Sequence, residues 1–258
     1  MSLIRRLKTS PIGQQVRHAR NRVLDPLYWR RSRDEFRLLA ADAQDAEGAL
    51  QLLWTYHGAG FYRNLKPNQD RGELTALAGA VTALQPRIIV EIGTRDGGSL
   101  LVWSRCSPGL SHLVSIDLPG GIHGGGYPPQ RERFYRLFAE GGPGLSLHLL
   151  RQDSQTEASR DAVISALGGQ PVDFLFIDGD HRYPGVSRDY ALYAPLVRPG
   201  GLIAFHDIRP NRFDPSIEVW RLWDEIKASG APVQEFIHEP YSGRYGIGVV
   251  EKVLIAEC

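Results

Sequence analysis

Cysteine is nearly missing from this 258-residue chain: there are two, Cys106 and Cys258, the second at the last position. Two such residues make no disulfide framework, so the expectation is a reduced, cytoplasmic protein. Long apolar runs are missing too. No stretch approaches the roughly 18 residues of a transmembrane helix, and "MSLIRRLKTS" lacks the apolar centre of a signal peptide. Charge of one sign is not in excess, since 30 basic and 29 acidic side chains leave a net +1. Global charge therefore gives no argument for nucleic acid as a partner. There is no internal repeat, no low-complexity tract and no G-x-G-x-x-G turn. What remains is an ordinary globular composition, long enough for one large α/β domain or two small ones.

The charge is unevenly placed. Residues 1–37 carry ten cations, from Arg5 to Arg37, against Asp25, Asp34 and Glu35, with apolar residues such as Val23, Leu27 and Trp29 between them. Pro11 and Pro26 interrupt any long helix there. The expectation is a basic helical extension over 1–69 that packs on the body or on a second copy in a homo-oligomer. The alternative is peripheral contact of residues 1–37 with an anionic membrane.

Periodicity predicts helices over 34–57 and 70–84. From residue 87 short apolar strands alternate with amphipathic helices. Strands are expected at 87–93, 112–118, 145–153, 172–180 and 200–208, and helices at 97–106, 131–140, 155–167, 186–196 and 217–229. Two further strands, 233–239 and 246–252, form an antiparallel hairpin around Ser242 and Gly243. This is a doubly wound, Rossmann-like α/β domain over 70–258, a seven-stranded, mostly parallel sheet with an antiparallel last strand. In such sheets ligands sit beyond the carboxyl ends of the strands, so chemistry belongs to the residues that follow each strand.

Those residues are unusually polar. "EIGTRDGGS" (91–99) is a glycine-rich turn from strand to helix, in which Gly93 and Gly97 let a ligand approach the backbone and Thr94 is a further expected cofactor contact. Glu91 at that tip would repel a pyrophosphate but suits a ligand carrying an ammonium and a sulfonium. Asp117 ends the next strand, where an acid can bind a ribose diol, and Asp153 with Ser154 could meet an adenine amino group. At the fourth strand "DFLFIDGDH" delivers Asp178, Asp180 and His181, and "FHD" brings His206 and Asp207 to the neighbouring tip. Buried charges at strand tips need partners or a metal.

The combination resembles the class I S-adenosylmethionine-dependent methyltransferases over roughly residues 70–252. The resemblance implies that Glu91 and its glycines hold the methionine moiety, Asp117 the ribose, and Asp153 the adenine side. The "DGDH" motif resembles the metal-dependent O-methyltransferases, in particular the branch of cephalosporin-hydroxylase-like proteins and sugar O-methyltransferases. It implies Asp178 as a metal ligand, His181 as the general base, and His206 and Asp207 as the second metal motif. A pair of acids is usual there, and His206 departs from it, which weakens Mg²⁺ relative to Mn²⁺, Fe²⁺ or Zn²⁺. The expected activity is methyl transfer to a hydroxyl of a small molecule, a sugar of a glycoside, glycolipid or polyketide. A metal-independent site built on His181 and His206 is the alternative, and a nicotinamide-dependent oxidoreductase the more distant one. The loop 119–130 is expected to fold over a ligand, with His123 and Tyr127 as contacts, and Tyr56, His57, Phe61 and Tyr62 to roof the acceptor pocket or to pack. Asp180 is expected to cap the helix that follows it.

Overall fold

The computed structural model of the protein describes residues 19–120, 126–141, 144–239 and 243–253. The cations up to Arg17, His123, Ser242 and Cys258 lie outside them. The elements run α1 Asp25–Ala40, α2 Ala46–Thr55, α3 Arg71–Leu84, β1 Ile88–Ile92, α4 Gly98–Trp103, β2 His112–Asp117, α5 Gln130–Tyr135 and β3 Ser146–Arg151. There follow α6 Glu157–Ala166, β4 Val172–Ile177, α7 Tyr183–Tyr193, β5 Val197–His206, α8 Val219–Ala228, β6 Val233–Phe236 and β7 Ile247–Glu251. The strands lie in the order β3-β2-β1-β4-β5-β7-β6. β7 alone runs antiparallel to its neighbours on both sides. The chain reverses its direction of winding between β1 and β4, which places a ligand crevice beyond those two tips.

One expected helix is corrected. The span 34–57 is two helices, because Asp45 caps α2 by accepting from the Gly48 amide at 2.8 Å and so ends the run from Ala41 onward. Pro26 sits in the first turn of α1 and starts that helix rather than breaking it. Likewise α7 begins three residues earlier than expected, with Pro184 in its first turn.

Period-two alternation sorts the strand residues onto two cores. Ile88, Val90, Ile92, Leu175, Ile177, Ile203 and Phe205 face α6, α7 and α8. Ile89, Phe174, Phe176 and Ala204 face the other way, into a core shared with Phe36, Leu53, Tyr56, Tyr62 and Leu65 of the N-terminal extension. The described part of that extension is thus a covering layer of the sheet. Arg37 holds Glu140 through two hydrogen bonds of 2.8 and 3.0 Å, and Arg133 pairs with Asp25. Tyr56, Phe61 and Tyr62 are buried here, so they pack, while His57 stays exposed. Val23, just before the first helix, and Leu27 and Leu38 on it are exposed. Among the described residues no helix is long and apolar enough to cross a membrane.

Candidate active site

Register builds the site. Ile92 pairs with both Ile116 and Ile177, and Ile177 with Phe205. The next residues, Gly93, Asp117, Asp178 and His206, therefore stand in one row across four strand tips. Parity then aims Asp178 and His206 toward the face covered by the extension, as Phe176 and Ala204 are. Gly93 is what lets the row close up. Its φ is 94°, and a Cβ there would overlap the carbonyl oxygen of Asp178.

On the side of β1 and β2, the turn after β1 is held by backbone amides and by side chains that reach its main chain. The Gly93 amide donates to Ile116, and the Gly97 amide, at φ 76°, to Thr94. The Thr94 hydroxyl is buried against that of Ser115. The Tyr135 hydroxyl donates to the Arg95 carbonyl at 2.5 Å, and the buried Arg131 donates to the Asp96 carbonyl at 2.7 Å. Asp117 accepts from the amides of Arg95 (2.6 Å), Leu118 and Gly126 (2.8 Å each). Burial pushes its carboxyl upward, and the amides oppose that. Asp153 is exposed two residues beyond β3, and the Ser154 carbonyl accepts from Tyr193. Beneath them lies Asp189, fully buried and lacking a well-formed hydrogen bond, with only the Ser154 side chain for partial relief.

Glu91 differs from expectation. It shares the parity of Ile89, so its side chain enters the core, where one carboxylate oxygen accepts from Trp103 Nε1 at 2.9 Å and the other has no partner. Burial pushes its pKa up to about 8. It lies under the turn, not at the open tip. Tyr127 is also displaced from its expected place. It is buried edge-on against Tyr135 at 4.9 Å, so this part of the loop is packing. Asp180 does not cap α7. It braces Arg182 at 2.6 Å.

The chemical side is made of side chains. Asp178 Oδ1 meets His181 Nε2 at 3.0 Å and His206 Nδ1 at 3.1 Å, while its Oδ2 accepts from Gln69. His181 Nδ1 lies 3.1 Å from Asp207 Oδ2. Asp207 adopts a φ of 60°, a strained value that turns its carboxylate back over the site. Burial alone would lower the His181 pKa, but the two carboxylates prevail and push it up to about 10. Burial likewise opposes the ionised form of Asp178, and the two imidazoles hold it well below the usual carboxylate range. His206 Nε2, Asp207 Oδ1 and Gln69 Oε1 are buried without partners. Asp178, His181 and His206 can each offer one atom to an ion, all within 4.8 Å of one another. The expected metal set was Asp178, His206 and Asp207. The donor atoms that lie together are those of Asp178, His181 and His206, with Asp207 Oδ2 3.1 Å from His181 Nδ1 and 3.4 Å from His206 Nδ1. Sequence reasoning missed Gln69, which lies outside the sheet with no local motif to mark it. It also missed Tyr245, stacked on His206 at 5.8 Å from the β6–β7 connection.

Residues 90–208 match the family model described as a methyltransferase domain. With the strand order and the antiparallel β7, the sheet has the Rossmann-like methyltransferase fold. The chain is 29% identical over 176 residues to the uncharacterised protein y4gI of Sinorhizobium fredii, covering 66% of itself and 18% of that protein. It is 33% identical over 129 residues to the uncharacterised protein R132 of Acanthamoeba polyphaga mimivirus, covering 50% of itself and 54% of that protein. The chain thus spans at most about half the length of either relative. Its fold matches the O-methyltransferase of Bacillus cereus, solved with S-adenosylhomocysteine, at a TM-score of 0.51 and 22% identity. That match covers 80% of this chain and 90% of that one.

Proposed function

We propose that the chain transfers a methyl group from S-adenosylmethionine to a hydroxyl oxygen of a small molecule, assisted by a divalent cation at Asp178, His181 and His206. The observation that carries this reading is the single row in which the cofactor turn and the Asp178 cluster meet, with Gly93 against the Asp178 backbone. S-adenosylmethionine supplies an electrophilic sulfonium methyl. The chain's part is to fix its position: a carboxylate has about four acceptor sites, so three backbone amides on Asp117 leave room for a ribose hydroxyl. Asp153 and Ser154 stand at the mouth for the adenine.

The cluster fits a cation because two imidazole nitrogens crowd one carboxylate oxygen, a donor set suited to Mn²⁺, Fe²⁺ or Zn²⁺ more than to Mg²⁺. A cation there would lower the pKa of an acceptor hydroxyl. Gln69 orients Asp178, and Asp207 orients His181. Since both ring nitrogens of His181 are engaged by carboxylates, this reading makes it a ligand, not the free base. The metal-independent alternative has its own support in the unpartnered His206 Nε2, which could receive the acceptor's proton. A sugar of a glycoside, glycolipid or polyketide is the finer part of the proposal, supported by the resemblance of "DGDH".

The test is calorimetric titration of metal-stripped protein with S-adenosylmethionine, with NAD as control, followed by methyl transfer with and without Mn²⁺ or Mg²⁺. Binding of S-adenosylmethionine alone is expected, with turnover that needs the ion and prefers Mn²⁺. No binding would overturn the activity, and full turnover without metal would move the proton to His206.

A further inference from the structure

Beyond His206 the structure carries a second cluster. The segment after β5 and the β6–β7 connection are zipped together, Ile208 amide to Gly246 carbonyl (3.2 Å) and Arg212 amide to Gly243 carbonyl (3.0 Å). They present Arg212, Phe213 and Arg244 side by side. Phe213 is 65% exposed. The Arg212 guanidinium lies 4.7 Å from its centroid and that of Arg244 5.9 Å. Arg244 also lies 4.5 Å from the ring of Tyr245, and Tyr245 stacks on His206. A ladder of rings and guanidiniums thus runs from the buried cluster to the surface, on the side away from the cofactor turn. The same segments carry two exposed acids, Asp214, whose carboxylate accepts from the amide and hydroxyl of Ser216, and Glu239.

Planar guanidiniums flanking an exposed ring can grip an anionic group by paired hydrogen bonds while the ring covers an adjoining apolar or sugar face. Resting on the methyltransferase reading, we infer that the acceptor carries an anionic substituent, a carboxylate or a phosphate, held by Arg212 and Arg244 while its hydroxyl reaches the His206 end of the ladder. The arginines are specificity residues and lie outside the reacting atoms.

Three probes on one ring separate the cases: methyl glucoside, glucuronate and glucose 6-phosphate, titrated by ligand-observed NMR into protein loaded with S-adenosylhomocysteine. The wild type is expected to bind one or both anionic probes at least about tenfold tighter than methyl glucoside. Which of the two wins distinguishes carboxylate from phosphate. That preference should vanish in Arg212→Gln/Arg244→Gln, and both proteins should bind S-adenosylhomocysteine alike. Equal binding of the three probes, binding of none, or a preference that survives in the double variant overturns the inference. Loss of S-adenosylhomocysteine binding in the wild type would instead strike the methyltransferase reading itself.

Discussion

The tips of β1 and β2 and the tips of β4 and β5 lie in one row, yet they are held in opposite ways. At the first pair, the main chain takes one side of each contact: Asp117 accepts from three amides, and the turn carbonyls of Arg95 and Asp96 accept from the Tyr135 and Arg131 side chains of α5. At the second pair, side chains hold side chains, and His206, Asp207 and Gln69 each keep one buried polar atom unpartnered. A backbone-held frame keeps its shape when one side chain changes. A cluster of side chains depends on each member, and orphaned polar atoms there are costly unless something binds them. On the proposed reading, the first pair is a scaffold for the cofactor and the second the place where chemistry is done.

A crossed pair of variants would break that division most directly. Asp178→Asn removes the charge on which both imidazoles converge, so turnover should fall by about 10³ while S-adenosylhomocysteine affinity stays close to the wild type. Asp117→Asn should do the reverse, weakening the cofactor by roughly 10- to 100-fold with turnover at saturation nearly intact. Paired calorimetry and initial rates decide it. If both variants lose both properties, the two halves form one cooperative unit and the comparison fails.

Much of this architecture was readable in advance, because apolar strands at regular intervals announce themselves and their tips name the polar residues. Asp117, Asp178, His181 and His206 all came from that rule. Parity was the signal left unused for Glu91: counting by twos from Ile89 sends it into the core with Trp103. The merged helix over 34–57 arose because apolar periodicity continues through Ala40, Ala41 and Ala43, and only the Asp45 side chain marks the break. Gln69 and Tyr245 could not be seen locally. Gln69 reaches Asp178 across 109 positions, and that contact exists only once the extension lies on the sheet.

Asp189 sharpens the comparison from below the row. Burial pushes its carboxyl up to about 7, with the charges of Asp153 and Asp180 adding to the effect. The folded chain therefore keeps a proton that the unfolded chain releases from about pH 4 upward, so this group lowers stability as pH rises from about 4 to about 7. Asp189→Asn removes that loss. Its stability should match the wild type near pH 4 and exceed it by roughly 4 kcal/mol at pH 8, measured by urea unfolding. A difference independent of pH would show that the carboxylate is solvated or paired in solution.

The smallest effect lies at Tyr127, the one expected ligand contact of the 119–130 loop that falls among the described residues, which is packed instead. Its hydroxyl is buried without a partner beside Tyr135, so Tyr127→Phe removes an unmet polar group and little else. The variant should be as stable as the wild type or more so by up to about 1 kcal/mol, with unchanged KM for the acceptor. A raised KM at unchanged stability would mean that the hydroxyl swings out to the ligand. The first pair of tips would then meet the ligand through a mobile side chain as well as through Asp117, and the contrast between a frame anchored on the main chain and a centre made of side chains would have to be redrawn at that loop.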